Sequence, residues 1–132
     1  MRVRFPETDS QQVVHHSVYL HYFEIGRTEL LREQGLPYSE MEKQGIVLVI
    51  TDIEAKFVAP AHYDDMLVVK TAVESVTRAR IFLRYEVRRE HDDKLACHGS
   101  TTLASLSSEG RPQALPDDLT RAFVALAETG DD

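Results

Sequence analysis

Ser17-Val18-Tyr19-Leu20-His21-Tyr22-Phe23-Glu24-Ile25-Gly26-Arg27-Thr28-Glu29-Leu30-Leu31-Arg32-Glu33-Gln34 is the stretch whose reading decides the fold. Tyr19, Phe23, Gly26 and Leu30 follow one face at spacings of four, three and four, with Val18, Tyr22 and Ile25 alongside. That spacing predicts a helix with a wide apolar stripe. His21, Glu24, Thr28, Arg32 and Glu33 fall mainly elsewhere on the wheel. Ser17 is a candidate N-cap, and Gly35 followed by Pro37 is a stop signal. A helix with so broad an apolar face needs a sheet to lie against.

The flanking sequence supplies that sheet. Arg2 to Phe5 alternates basic and apolar residues and stops at Pro6, which reads as a strand entering a loop that runs to about His16. Beyond the helix, Ser39 to Lys43 reads as a short helical turn. After Gly45 the period changes to two, with Val49, Thr51, Ile53, Ala55 and Phe57 alternating with Ile50, Asp52, Glu54 and Lys56. Turn chemistry from Ala59 to Asp65 ends this strand, and Met66 to Val76 is the next. Arg80 to Arg89 alternates again, the His91-Asp92-Asp93-Lys94 link fits a hairpin, and Leu95 to Leu106 completes a meander. Pro116 to Ala127 carries Leu119, Phe123 and Leu126 at helical spacing, followed by an acidic tail. Strand, long helix, then four strands with hairpin-like links is not the alternation of a doubly wound parallel sheet. The class is α+β, with a five-stranded antiparallel sheet wrapped around one long central helix.

Composition narrows the functional classes. A chain of 132 residues is expected to form a single domain over 1–132, with about 117–132 as C-terminal helix and tail, and it can bury a core without staples. At 42% hydrophobic and 28% charged residues it falls with globular rather than disordered chains. The net charge of -7 comes from acidic residues spread along the chain, so no basic face is available to neutralise a row of phosphates and nucleic acid is not an expected partner. The lone Cys97 excludes an internal disulfide and a thiolate metal cluster, and in a strand it reads as a small buried side chain. With no signal pattern at the N-terminus and no apolar run near the roughly 20 residues of a bilayer span, a cytoplasmic protein is expected.

Chemistry-bearing residues concentrate in Glu7-Thr8-Asp9-Ser10-Gln11-Gln12-Val13-Val14-His15-His16-Ser17-Val18-Tyr19, a loop that delivers a carboxylate and two imidazoles to the head of the long helix. Helix N-termini present unpaired N–H groups and partial positive charge, which suits a developing oxyanion. A carboxylate nearby can attack a carbonyl or direct water onto it. Taken alone, Asp9 reads first as a turn or cap residue. His15, His16 and His21 lie five and six residues apart, which does not put ligands on one helical face, so no metal is expected. Glu24 reads either as a pocket carboxylate or as half of an ion pair with Arg27.

Thr8-Asp9, Val13-Val14-His15-His16, Tyr19, Tyr22-Phe23-Glu24 and Arg27 together resemble the 4-hydroxybenzoyl-CoA thioesterase family of the hotdog superfamily, closest to its Tol-Pal-associated acyl-CoA thioesterase branch. The resemblance continues through Gly35-Leu36-Pro37-Tyr38 and Ala59-Pro60-Ala61 with Asp64-Asp65, covering most of residues 2 to 116. It implies a hydrolase that cleaves acyl-CoA without a cofactor, coenzyme A being part of the substrate. By the same resemblance the catalytic carboxylate falls on Asp9, and His16, seven residues later, supplies a backbone N–H and an assisting imidazole. Tyr19, Gln12 and Glu24 are the expected substrate-binding residues, and a homodimer or homotetramer with the site at the subunit boundary is the expected assembly. Gln12 departs from the pattern, which has glycine there, and a glycine implies a backbone of positive φ. Two other classes compete: a hotdog hydratase or dehydratase on acyl thioesters, and a non-catalytic acyl-CoA-binding module.

Overall fold

The structure is a computed structural model that describes residues 1–129; the end of the expected acidic tail, residues 130–132, lies outside the described residues. The long helix α1 (Val18–Glu33) runs between Ser17 and Gln34 as its spacing predicts. Its C-terminus closes by a left-handed turn: Gly35 takes φ 73°, its N–H bonds to the Arg32 carbonyl, and the Leu36 N–H reaches back to Leu31 at 2.8 Å. This pattern satisfies carbonyls that the helix leaves open and demands a residue tolerant of positive φ. The short helix α2 (Tyr38–Lys43) ends the same way, with Gly45 at φ 79° and Ile46 N–H on the Met41 carbonyl.

Four strands follow: β1 (Val47–Phe57), β2 (Leu67–Val76), β3 (Arg80–Arg89) and β4 (Leu95–Leu106), before α3 (Asp117–Thr129). They form one antiparallel sheet in the order β1-β4-β3-β2. The helix α1 lies over β2 and β3, and α3 packs over β2. A Cβ at Gly26 would run into Thr71 Oγ1 and Val69 Cγ1, so a glycine lets α1 approach the sheet this closely. Tyr22, Phe23, Leu31, Tyr85, Leu83 and Phe123 fill the space between the layers. Phe23 and Tyr85 stack face to face at 4.5 Å between ring centres.

The expected fifth strand shrinks to a fragment. Arg2 makes a single bridge to Met66, flanked by the Val3 N–H on the Asp65 carbonyl and the Leu67 N–H on the Met1 carbonyl. The Phe5–Glu7 segment then turns as a 3-10 helix. Pro6 locks φ and has no N–H to donate, so the pairing cannot propagate. The structure is therefore a four-stranded sheet with a one-bridge N-terminal addition beside β2.

A second correction concerns β1. Thr51 is an extra residue between Ile50 and Asp52 where the register with β4 shifts. Pairing puts Ile53, Ala55 and Phe57 opposite Thr101, Gly99 and Cys97, and Ile50 and Leu48 opposite Leu103 and Ser105. The bulge thus reverses the phase of the alternation, and Leu48 and Ile50 replace Val49 and Thr51 on the inner face. As an edge strand, β1 leaves Ile50, Ile53 and Phe57 substantially exposed.

Candidate active site

The loop ahead of α1 is a small hairpin. Thr8 bridges Val14, the Asp9 N–H bonds to the Val13 carbonyl at 2.9 Å, and the Gln12 N–H returns to the Asp9 carbonyl at 2.9 Å. Three residues therefore turn the chain, and the last one, Gln12, sits at φ 63°. Three-residue hairpins commonly require a left-handed residue at that position, which explains why glycine suits it. The hairpin is fastened to the stretch before β2 by a Val13–His62 bridge and by the Val14 N–H on the Ala61 carbonyl.

The two carboxylate oxygens of Asp9 are engaged differently. Oδ1 accepts the Gln11 N–H at 2.9 Å and the Val13 N–H at 3.3 Å, the pattern of an Asx turn. Oδ2 has no hydrogen-bond partner among the described residues, and the side chain is exposed. The turn reading and the chemical reading of Asp9 are thus compatible within one side chain.

His16 stands at the entry to α1. Its backbone N–H bonds to no acceptor among the described residues, while the next three N–H groups are engaged: Ser17 on His15 Nδ1, Val18 on the His15 carbonyl and Tyr19 on the His16 carbonyl. Ser17 does not cap the helix with its side chain, contrary to the sequence expectation. The His15 imidazole caps instead, with Nδ1 also 2.9 Å from Ser17 Oγ. The His16 ring stacks on Phe57 at 4.3 Å and 20°. Both border a surface cavity of about 240 Å³ walled by Val13, Val14, Tyr19 and the Val58-Ala59-Pro60 run.

Tyr19 is buried at the back of that cavity, tilted against Phe57 and edge-on to Tyr22. Burial pushes its phenol up to about 12, and neighbouring Cys97 adds to the rise. Burial and the Glu7 carboxylate, which accepts the Tyr22 hydroxyl at 3.2 Å, also raise Tyr22. Cys97 is fully buried, which pushes its thiol up to about 11. Such a thiol is a poor nucleophile at neutral pH. Among the described residues no three His, Cys, Asp or Glu side chains are grouped to hold a metal ion, and no helix is long and apolar enough to cross a membrane.

The structure puts His16 and Tyr19 on one cavity, holds Asp9 and Gln12 on the hairpin whose Val13 and Val14 help to wall it, and leaves Glu24 out of it. Glu24 lines a different cavity, of about 400 Å³, between α1, α2 and the start of β1. It makes no ion pair with Arg27, whose Nε donates to Tyr38 Oη at 2.6 Å and whose Nη1 donates to Tyr85 Oη at 3.2 Å. Tyr85 Oη is in turn 2.6 Å from Thr101 Oγ1. Phe57 and the Val58-Ala59-Pro60 wall were not anticipated as site residues; the available signal was the apolar end of β1 running straight into a proline.

The chain resembles known proteins over nearly its full length. The acyl-CoA thioesterase YbgC of Haemophilus influenzae is 30% identical over 128 residues, spanning 96% of this chain and 93% of that protein. The acyl-acyl carrier protein thioesterase ATL3 of Arabidopsis thaliana is 27% identical over 131 residues, 99% of this chain and 69% of that one. The crystal structure of DHNA-CoA thioesterase from Staphylococcus aureus superposes with a TM-score of 0.90 at 32% identity, covering 100% of this chain and 93% of that chain. An antiparallel sheet lying against a central helix is the hotdog-like thioesterase arrangement, and the model of the thioesterase-like superfamily matches residues 3–123: the chain belongs to that superfamily.

Proposed function

We propose that the chain is an acyl-CoA thioester hydrolase of the 4-hydroxybenzoyl-CoA thioesterase kind, in its Tol-Pal-associated branch, releasing free acid and CoA from a small or medium acyl-CoA. The observation that carries this reading is the unengaged His16 N–H at the head of α1, on the same loop as an Asp9 carboxylate with one uncommitted oxygen. In the general-base form, Asp9 Oδ2 takes a proton from water as the water oxygen bonds to the thioester carbon. The carbonyl electrons move onto oxygen, which accepts the His16 N–H. Collapse then breaks the C–S bond, and the thiolate leaves as CoA after taking up the proton. In the nucleophilic form Oδ2 itself bonds to the carbon and the C–S bond breaks to expel the CoA thiolate. Water then cleaves the resulting anhydride into the free acid and the restored Asp9 carboxylate, and a proton from that water goes to the thiolate.

Tyr19 serves as the back wall for the acyl group, and the Gln12 amide approaches the substrate from the hairpin turn. Glu24 reaches a substrate through a site completed by a second subunit, in keeping with a homodimer or homotetramer. No cofactor takes part, and the cytoplasm is the assigned compartment. The test is a thiol-release assay over acyl-CoAs of graded length and aromatic ones, with wild type, Asp9→Asn and His16→Ala. Asn keeps an oxygen for the Gln11 and Val13 N–H groups, so it isolates chemistry from loop structure. Asp9→Asn is expected to lose about 10²–10⁴ in turnover, whereas His16→Ala keeps its backbone N–H and loses only part. An enzyme that cleaves no acyl-CoA, or an Asn variant as fast as wild type, overturns the reading.

A further inference from the structure

Arg27 continues the buried stripe of α1, four residues beyond Phe23, and is only 5% exposed. A guanidinium in such a place normally carries a carboxylate partner, because a charge taken out of water needs an opposite charge in return. Here, among the described residues, it has none: its partners are the neutral phenols of Tyr38 and Tyr85. Among the described residues Nη2 has no acceptor. Tyr38 Oη accepts from Arg27, so its own O–H proton remains available and meets no acceptor among the described residues. Arg27 and Tyr38 line the same cavity of about 400 Å³, whose remaining wall is largely apolar, with Ile46, Leu48 and Leu103 among its residues.

We propose that this cavity binds the carboxylate of an amphiphilic carboxylic acid, which accepts from Arg27 Nη2 and the Tyr38 hydroxyl while its apolar part lies against Ile46, Leu48 and Leu103. Two unused donors beside a fixed positive charge match the two oxygens of a carboxylate. Glu24 and Glu42 also border the cavity and are exposed. Water and salt screen them, whereas the guanidinium acts from a less polar interior. They set selectivity: a multiply charged phosphate chain is repelled, and a single carboxylate on an apolar body is accepted. The carboxylate has two sources, a free acid or the far end of a dicarboxylic acyl thioester. Binding of a free acid here does not depend on hydrolysis at Asp9; the second source does rest on the proposed hydrolase activity.

Calorimetric titration of the full chain with octanoate, octanamide and inorganic phosphate tests the first source. Octanoate is expected to bind saturably, with octanamide about tenfold weaker, the scale of one charge-assisted bond, and phosphate not at all. Tyr38→Phe keeps the ring and is expected to weaken octanoate by about fivefold to tenfold. Glu42→Gln should tighten it, and Arg27→Gln, if it folds, should abolish it. A thiol-release assay comparing suberyl-CoA with octanoyl-CoA tests the second source: a preference for suberyl-CoA that Tyr38→Phe erases assigns the carboxylate to the acyl group. If Tyr38→Phe changes neither octanoate affinity nor the suberyl preference, or if octanamide binds as well as octanoate, the proposal is overturned. Failure of hydrolysis with intact octanoate binding would sink only the catalytic reading.

Discussion

Gln12 is held where an L side chain is strained, at φ 63° in the last position of the Asp9 hairpin. The left-handed conformation costs a non-glycine residue about 1–2 kcal/mol, part of which glycine gives back through its freer unfolded chain. Gln12→Gly is therefore expected to raise stability by about 0.5–1 kcal/mol, seen as a higher urea midpoint at unchanged slope, while Gln12→Ala gives no gain. Equal midpoints for Gly and Ala would mean that the loop relaxes around the side chain instead of straining. The same hairpin gives Asp9 a structural duty that can be separated from its chemistry. Asp9→Ala removes the acceptor of two backbone N–H groups and should lower stability by about 1 kcal/mol, a loss that Asp9→Asn avoids. Loop integrity and turnover thus move independently across the two variants.

Gly26 shows how a single position sets the spacing between whole elements. Helix propensity alone favours Gly26→Ala by about 1 kcal/mol, yet the added methyl meets Thr71 Oγ1 and Val69 Cγ1. Overpacking of this kind costs typically about 1–3 kcal/mol, so the variant is expected to melt lower than wild type; a higher melting temperature would show that α1 can lift from β2 without penalty. Elements with their own local signals were legible in advance. The helix stripe, its Gly35 stop and the strands Arg80–Arg89 and Leu95–Leu106 stand where periodicity puts them. The inner face of β1 was half legible, because a bulge at Thr51 reverses the phase and no local residue type announces it. The fifth strand was overread because Pro6 stops pairing sooner than the Arg2–Phe5 alternation suggests. At the site, Asp9, Gln12 and His16 could be grouped because they share one loop. Phe57 could not, since it joins them only through strand register. Arg27 did carry a signal, four residues past Phe23 on the buried stripe, but pairing it with Glu24 overlooked that the guanidinium is buried and engaged by Tyr38 and Tyr85 while Glu24 stays at the exposed rim of the same cavity.

At the scale of the molecule, the sheet has one edge partly covered and one open. The N-terminal fragment lies along the start of β2, whereas β1 presents an uncovered ladder and the exposed side chains of Ile50, Ile53 and Phe57. Such an edge invites pairing with another chain. Light scattering is expected to read a dimer or tetramer, and Ile53→Glu to shift it toward monomer; a monomeric wild type would remove the basis for a shared site. Interior ionisation sets a second molecular property, the alkaline limit of stability. Cys97 rises from 9.0 to about 11 and Tyr19 from 10.0 to about 12, each chiefly through burial. Both groups are essentially neutral in both states below about pH 8, so their contribution there is constant. Above that, the unfolded chain releases protons that the folded chain retains, and linkage drains stability progressively from about pH 9 to about pH 12. Urea midpoints measured between pH 8 and pH 11 should fall accordingly. Cys97→Ala starts lower because it leaves a small void, but it should lose less between pH 9 and pH 11 than wild type. Parallel pH profiles for the two proteins would show that the buried thiol does not contribute to the loss.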